Sequence, residues 1–228
     1  MYSNPEQNEL LPLLLSQYSY LNASNLQLVH RLDNFVTGGM LISKDKNSAK
    51  NFSKYLRNKS VDNNENKGWL FKRRYVAVVD KPSLIDSSYV QITKERNYIK
   101  GLVDRPIDDK DSITKFILPR KSPFEDKSLI ILELVTGRKH QIRKHLQFLD
   151  LACLNDSKFG STYIFDKADK RQIGLHSSFI QIQIGLQEPK KFLIPILYGK
   201  KSIWNGFIDA NGYFPEYINK YLFDFDNY

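Results

Sequence analysis

Residues 29–39 have the sequence VHRLDNFVTGG, which follows the apolar run LQLV at residues 26–29. His30, Arg31 and Asp33 are polar residues placed where a strand would end, and a Thr-Gly-Gly sequence follows them. Glycine tolerates backbone conformations that other residues avoid, so this segment is typical of a loop between two strands. An isolated Asp after a strand is usually a turn or capping residue. The segment therefore predicts an active-site loop only if partner residues lie elsewhere in the chain.

Two further clusters could supply those partners. Residues 71–79 (FKRRYVAVV) place basic residues and Tyr75 at the start of an apolar, β-branched strand. Residues 135–146 (VTGRKHQIRKHL) follow another apolar strand and begin a predicted helix. Side chains three and four positions apart share a helix face, and a helix start presents free N–H groups to anions. The basic face of this helix holds His140, Arg143 and Lys144. Each cluster lies at the edge of a strong strand, so the three could converge at one end of a sheet.

The composition is that of a globular protein with excess positive charge. The chain has 228 residues, 41% hydrophobic residues and a net charge of +9, which is enough for one substantial core or two small ones. A basic protein attracts polyanions, of which nucleic acid is the commonest. The single cysteine, Cys153, excludes an intrachain disulfide and a thiolate metal cluster. No apolar run approaches the roughly 20 residues that span a bilayer, so we expect no membrane partner.

Several enzyme classes lack their sequence signatures. No second carboxylate stands at the spacing of a glycosidase pair. There is no Gly-rich phosphate loop and no His/Asp metal triad, so we expect no metal site. The Gly-x-Ser-x-Gly turn of a serine hydrolase is absent from the sequence as well.

The predicted elements contain more strands than helices. The predicted helices cover residues 10–20, 48–56 and 140–149. The predicted strands cover residues 26–29, 39–44, 73–80, 128–135 and 179–186. This mixed order predicts an α+β fold in one catalytic domain, and we expect the aromatic C-terminal residues 204–228 to pack against it.

The order of the motifs resembles that of the RluA-type pseudouridine synthases. HRLD (30–33) is followed by a Thr-Gly pair, then by KRRYVAVV (72–79) and TGRKHQIRKHL (136–146). NDSKFG (155–160) and IGLHSSFIQI (173–182) match further pieces of the family pattern. The resemblance implies one pseudouridine synthase catalytic domain over the whole chain, with a mixed, mostly antiparallel sheet flanked by helices and loops.

The resemblance also implies an activity and roles for single residues. The family isomerises uridine in RNA to its C-glycoside without a metal or cofactor. By position, Asp33 is the essential carboxylate at the ribose, and Tyr75 stacks on the base and is placed to take the C5 proton. Arg143 pairs with Asp33. Whether the carboxylate adds covalently or removes the 2′ proton stays open. The implied RNA-binding residues are Arg31, Arg74, Arg138, Lys139, His140, Ile142 and Lys144, and the basic residues 72–74 would serve the phosphate backbone. Among them, Arg31 would fill the gap left by the extracted nucleotide, because a base cannot be isomerised while stacked.

The sequence departs from the family pattern at its start. Members usually carry an Asn-Lys-Pro strand some tens of residues before the catalytic loop. Only 29 residues precede His30 here, so we expect the N-terminal strand to be missing, and no S4-type RNA-binding module is visible. The likeness to mitochondrial members implies a mitochondrial location, although residues 1–30 contain no Lys or Arg. We expect the partner to be RNA, specifically rRNA, and the protein to be a monomer.

Two other functions compete with the isomerase hypothesis. A non-catalytic RNA-binding protein that assists rRNA folding or assembly would explain the charge, but it has no need of a carboxylate facing RNA phosphates. An RNA nuclease or N-glycosidase would shorten the strand or release a base, whereas an isomerase leaves the mass of the RNA unchanged.

Overall fold

The computed structural model describes residues 10–57, 68–80, 89–163, 172–197 and 203–228. The strands are β1 Gln27–Leu28, β2 Thr37–Gly38, β3 Ile42–Ser43, β4 Leu70–Asp80, β5 Val90–Lys94, β6 Tyr98–Asp104, β7 Ile113–Pro119, β8 Lys127–Leu134, β9 Leu175–Gln183 and β10 Lys190–Leu193. The helices are α1 Leu10–Gln17, α2 Lys46–Arg57, α3 Gln141–Phe148 and α4 Glu216–Phe223.

The main sheet is mixed and mostly antiparallel. Its strand order is β10-β9-β4-β8-β7-β6-β5, with every neighbour antiparallel, and the short β2 joins it by pairing parallel with β9. Strands β1 and β3 form a separate antiparallel pair. The predicted α+β class is confirmed. The expectation of a missing N-terminal strand concerns the residues before Leu10, which lie outside the described residues.

Strand β4 carries apolar side chains on both faces because the sheet is covered on both sides. Tyr75 and Ala77 belong to a core with α3, whereas Val76 and Val78 belong to a second core with α4. Fully burying one such side chain contributes roughly 1.5–3 kcal/mol. The C-terminal aromatic segment packs in this second core, where Trp204 is fully buried, as predicted.

The alternation along β4 corrects the prediction for Arg74. Successive side chains of a strand point to opposite faces, so Arg74 and Tyr75 cannot both face one cleft. Arg74 is fully buried on the α4 side. Its guanidinium donates to Glu133 and to Asp226, both at 2.7 Å, and to the backbone of α4. Arg74 is therefore a structural residue on the face opposite to Tyr75, while Arg73 takes the side of Tyr75.

Strand β2 attaches the loop before it to the sheet. Thr37 and Gly38 pair with His176 and Ser177 of β9. Gly38 has a φ of 118°, and a Cβ at this position would overlap the backbone of Ser177. Only glycine allows this close approach and this backbone conformation, so the sequence of residues 37–39 fixes the loop against β9.

Candidate active site

Asp33 lies in the loop between β1 and β2. The Val36 N–H donates to the Asp33 carbonyl at 3.2 Å and closes a turn, and Leu32 and Val36 pack against the core that contains Tyr75. The Asp33 side chain is 25% exposed. The loop therefore has apolar anchors on both sides of a carboxylate that stays accessible.

Two histidines hold the ends of this loop. The Leu41 N–H donates to Nε2 of His30 at 2.9 Å. Nε2 of His176 donates to the Ile194 carbonyl at 3.0 Å, so its Nδ1 accepts from the Thr37 hydroxyl at 2.7 Å. Burial lowers the pKa of His176 to about 4. Burial, together with the nearby charge of Arg73, lowers the pKa of His30 to about 3. Both rings are therefore neutral and act as structural hydrogen-bond partners.

Arg143 reaches towards Asp33 from α3. Its Nη1 lies 3.8 Å from Oδ2 of Asp33, which agrees with the predicted neighbourhood. Its principal partner is Asp156, to which Nε and Nη2 donate at 2.6 and 2.7 Å. Asp156 is 1% exposed and Arg143 is 5% exposed, and the Phe159 ring lies 4.4 Å from the guanidinium. Sequence reasoning assigned no role to Asp156, although it is the acidic residue of the NDSKFG motif.

The turn before α3 is ordered by Gln141. Oε1 of Gln141 accepts from the Arg138 N–H and from the Thr136 hydroxyl, and its Nε2 donates to the Ile113 carbonyl. This arrangement is similar to a capping box, because a side chain inside the helix reaches back to a free N–H before it. His140 adopts the left-handed conformation with a φ of 56°. The turn thus directs residues 138–140 into the space in front of Asp33.

These elements enclose a cleft of about 540 Å³, a size that suits a small ligand or a single nucleotide. Tyr75, Leu175 and Ile142 form apolar parts of its wall. Its basic lining residues are Arg31, Arg57, Arg73, Arg138 and Lys139, with His140 beside them. Among the lining residues that the structure describes, Asp33 is the only carboxylate. The cleft can therefore attract a polyanion and present one acidic group to it.

Most of the predicted site residues come together in this cleft. Those that line it are Arg31, Asp33, Tyr75, Arg138, Lys139, His140 and Ile142. Lys144 lies outside the lining and pairs with Asp108 at 2.8 Å. Arg57 lines the cleft but was not predicted, and Arg73 lines it as one of the basic residues 72–74 that were expected at the phosphate backbone. For Arg73, the strand alternation from Tyr75 was a usable signal, whereas nothing in the helical pattern of α2 singled out Arg57.

The described residues contain neither a metal-site cluster nor a membrane-spanning helix. No cluster of three or more His, Cys, Asp or Glu side chains with the geometry of a metal site occurs there. No helix in that part of the chain has the length and apolar character needed to cross a membrane.

Comparison with known proteins places this geometry in a family. The family model described as RNA pseudouridylate synthase matches residues 3–148. The 21S rRNA pseudouridine(2819) synthase of Saccharomyces cerevisiae is 35% identical over 216 residues, which cover 91% of this chain and 77% of that protein. The enzyme of the same name from Eremothecium gossypii is 34% identical, with 98% of this chain and 76% of that protein covered.

A solved structure agrees at the level of the fold. The human protein RNA Pseudouridylate Synthase Domain Containing 1 superposes with a TM-score of 0.51 at 14% identity, covering 81% of this chain and 73% of that one. The predicted family is confirmed by the family model and by the two fungal relatives. The chain therefore belongs to the RluA-type RNA pseudouridine synthases and is an isomerase that acts on RNA.

Proposed function

We propose that this enzyme isomerises one uridine of mitochondrial large-subunit rRNA and that Asp33 is its essential carboxylate. The observation that carries the assignment of Asp33 is its isolation: it is the one acidic residue among the described lining of a basic cleft, and Arg143 lies 3.8 Å behind it. A carboxylate that only decorated a surface would repel the phosphates that the surrounding arginines attract. Its presence there is explained by a chemical task at the ribose.

The reaction breaks the N1–C1′ bond of uridine and forms a C5–C1′ bond, while a proton leaves C5 and another is gained at N1. The target base must leave its stack before Asp33 can reach its sugar, at a cost of a few kcal/mol. Arg31 is exposed at the rim of the cleft, where its planar guanidinium can replace the lost stacking. Tyr75 and Ile142 offer an aromatic and an aliphatic surface for the extracted ring.

Arg143 has a supporting role in this proposal. The hydrogen bonds and charge of Asp156, followed by the charge of Asp33, raise the pKa of Arg143 although its burial acts in the opposite direction. Its guanidinium is therefore charged and held in place beside Asp33. Arg138, Lys139 and His140 supply contacts to the RNA backbone, which give affinity without sequence information.

The substrate and the location come from the relatives. The two fungal relatives are both named for a pseudouridine of 21S rRNA, and 21S rRNA is the mitochondrial large-subunit rRNA of those fungi. We extend this substrate class and a mitochondrial location to the present chain, acting as a monomer. Light scattering of the purified protein tests the oligomeric state, and cell fractionation tests the location.

The decisive experiment maps pseudouridine chemically across total and mitochondrial RNA from cells that carry either Asp33→Asn or the wild-type gene. We expect one uridine of the mitochondrial large-subunit rRNA to lose its modification. The purified Asp33→Asn protein should keep its affinity for that RNA, because the substitution removes a negative charge from a basic cleft.

Asp126→Asn is the matched control, because Asp126 is an exposed carboxylate whose partner is its neighbour Lys127 in the turn between β7 and β8. It should leave the modification map unchanged. An unaltered map with Asp33→Asn would instead favour a non-catalytic RNA-binding protein. A shortened strand or a released base would favour a nuclease or an N-glycosidase.

A further inference from the structure

Arg73 is a buried arginine that has no hydrogen-bond or ion-pair partner for its side chain among the described residues. Its side chain lies on β4 and is 8% exposed, and its Nε has no hydrogen-bond acceptor among the described residues. No carboxylate in that part of the chain lies within ion-pair distance of it. The next residue, Arg74, shows the usual solution, since Glu133 and Asp226 neutralise it. Leaving a buried charge unpaired is expensive, so the position of Arg73 needs an explanation outside the folded chain.

The nearest polar neighbour cannot serve as the missing acceptor. His30 and Arg73 pack on the same ring, with Phe71 at 5.0 Å from the His30 ring and 5.3 Å from the Arg73 guanidinium. Nε2 of His30 already accepts from the Leu41 N–H. A neutral imidazole with one accepting nitrogen carries its hydrogen on the other. Both nitrogens are therefore unavailable to a guanidinium donor.

The guanidinium of Arg73 faces open space within the cleft. A Cβ added to Gly137 would meet Nη2 of Arg73 at 4.0 Å and no other atom within that distance. Arg57 and Arg138 line the same cleft. Nε of Arg138 is held by the Asp111 carbonyl at 3.0 Å, which leaves its terminal nitrogens to reach outward. Three arginines thus line one cleft in which Asp33 is the only carboxylate among the described lining residues.

The position relative to the proposed catalytic residues limits what can bind there. Arg73 precedes Tyr75 by two positions on the same face of β4, a separation of about 7 Å along the strand. An anion held by Arg73 would therefore lie about as far from a uracil stacked on Tyr75 as a backbone phosphate lies from its base. A planar guanidinium with parallel N–H donors matches the two free oxygens of a phosphodiester.

We propose that Arg73, together with Arg57 and Arg138 of the same cleft, forms a phosphodiester-binding subsite that holds the RNA backbone next to the target uridine and so positions its ribose over Asp33. This inference rests on the proposed function. It makes Arg73 a positioning residue, and it explains a buried cation as a group that the bound RNA neutralises. In the free protein the same cation should lower stability.

The first test uses RNA in which single phosphates are replaced by uncharged methylphosphonates, scanned over the positions that flank the target uridine. Equilibrium binding is measured in an Asp33→Asn background, so that the RNA is not converted. We expect a methylphosphonate at one position to raise the Kd about tenfold or more. We expect Arg73→Met to raise the Kd for unmodified RNA by a similar factor. With Arg73→Met, that same methylphosphonate should have almost no further effect. Additive effects at every phosphate would overturn the proposal.

Lys72→Met is the matched control for charge. Lys72 neighbours Arg73 on β4 but pairs with Asp226 on the opposite side of the sheet. It should leave both the Kd and the methylphosphonate pattern as they are in the parent protein. The salt dependence gives a second measure, because losing one phosphate contact to a single strand lowers the slope of log K against log salt by about 0.7. Arg73→Met should lower this slope and Lys72→Met should not.

Thermal unfolding separates positioning from structural support. Removing an unpaired buried cation should leave the Tm of the free protein unchanged or raise it, so Arg73→Met should fold. Arg74→Met breaks a satisfied buried network and should lower the Tm. A lowered Tm with Arg73→Met would indicate a structural role and contradict the proposal. Arg73→Lys, which keeps the charge, gives a second coupling measurement, in which we expect a reduced but position-specific response.

A further arm distinguishes the source of the anion. Inorganic phosphate at millimolar concentration should compete only weakly with the RNA, since the subsite requires a phosphate delivered by the strand. Strong competition that disappears with Arg73→Met, combined with additive methylphosphonate effects, would assign the site to a free phosphate and overturn the RNA assignment. Loss of product with Asp33→Asn is measured separately, so failure of the proposed reaction and failure of the subsite give different results.

Discussion

Asp156 accepts two hydrogen bonds from Arg143, whereas Asp33 lies 3.8 Å away from the same guanidinium. This difference indicates that Asp156 sets the position of Arg143 and that Arg143 in turn faces Asp33. We expect Asp156→Asn to lower the free energy of unfolding by about 3 kcal/mol, because it leaves a buried arginine without its counter-charge. It should also lower kcat with little change in RNA affinity, since no contact to the RNA is removed. Urea unfolding and single-turnover kinetics check the two effects.

Asp108→Asn is the control for that prediction. Asp108 pairs with Lys144 at 2.8 Å, but it is exposed, so solvent screens the pair. Its φ of 51° suits asparagine as well as aspartate. We expect little change in stability or kcat. Equal effects of Asp156→Asn and Asp108→Asn would show that the buried pair does not position Arg143.

The order of the motifs was enough to predict that Asp33, Tyr75 and the α3 residues converge. It was not enough to predict which acidic residue holds Arg143, because Asp33 and Asp156 come from loops far apart in sequence. The error at Arg74 had a different cause. The alternation of a strand was available from the sequence, and it places Arg73 rather than Arg74 on the side of Tyr75.

Strand β2 is only two residues long, yet it fixes the end of the loop that carries Asp33. Gly38 brings its backbone against Ser177 with a φ of 118°. We expect Gly38→Ala to lower the free energy of unfolding by about 3 kcal/mol, because backbone strain and steric overlap add together. The rate of product formation should fall by more than the loss of folded protein explains, since Asp33 lies in the loop that β2 anchors. Thermal unfolding and product formation at a temperature where the variant is folded measure these effects.

Gly185→Ala separates the two causes. Gly185 also has a positive φ, 61°, but a Cβ there would meet no atom within 4 Å. Only the cost of the left-handed backbone conformation remains for Gly185→Ala. We therefore expect its free energy of unfolding to fall by about 1 kcal/mol and its catalysis to stay unchanged. If Gly38→Ala behaved like Gly185→Ala, the contact between β2 and β9 would not be what holds the loop.

Agreement with the predicted bounds differs among the longer elements, and β9 spans Leu175–Gln183 where the alternation predicted 179–186. Strand β8 and helix α3 begin and end within one residue of the predicted bounds. Strand β4 begins at Leu70, three residues before the predicted start, because charged side chains at 72–74 are paired or line the cleft instead of ending the strand. The parallel pairing of β2 with β9 has no signal in the sequence, since two residues carry no period.

In the part of the chain that the structure describes, two large apolar cores lie on either side of the main sheet, a smaller one lies beneath α2, and His145 and His176 are buried while His30 is half-buried. His30 links the loop of Asp33 to Leu41, just before β3. His176 links the end of that loop, at Thr37, to Ile194 after β10. Burial lowers the pKa of each ring, with Arg73 adding to the effect at His30. Burial likewise lowers the pKa values of His140 and His145. Folding therefore favours the neutral form of these imidazoles.

This preference for the neutral form determines how stability changes with pH. Above pH 6.5 both rings are neutral in the folded and in the unfolded chain, so they contribute no pH dependence. As the pH falls below 6.5, the unfolded chain binds protons that the folded chain excludes until pH values near 4 for His176 and near 3 for His30. We expect the free energy of unfolding to fall by about 2 kcal/mol per histidine between pH 7.5 and pH 5. Urea unfolding at constant ionic strength checks this, and His176→Gln should flatten the profile because one of the titrating rings is gone. A profile of His176→Gln parallel to that of the wild type would show that His176 is already protonated in the folded protein and that its contacts to Thr37 and Ile194 tolerate the charge.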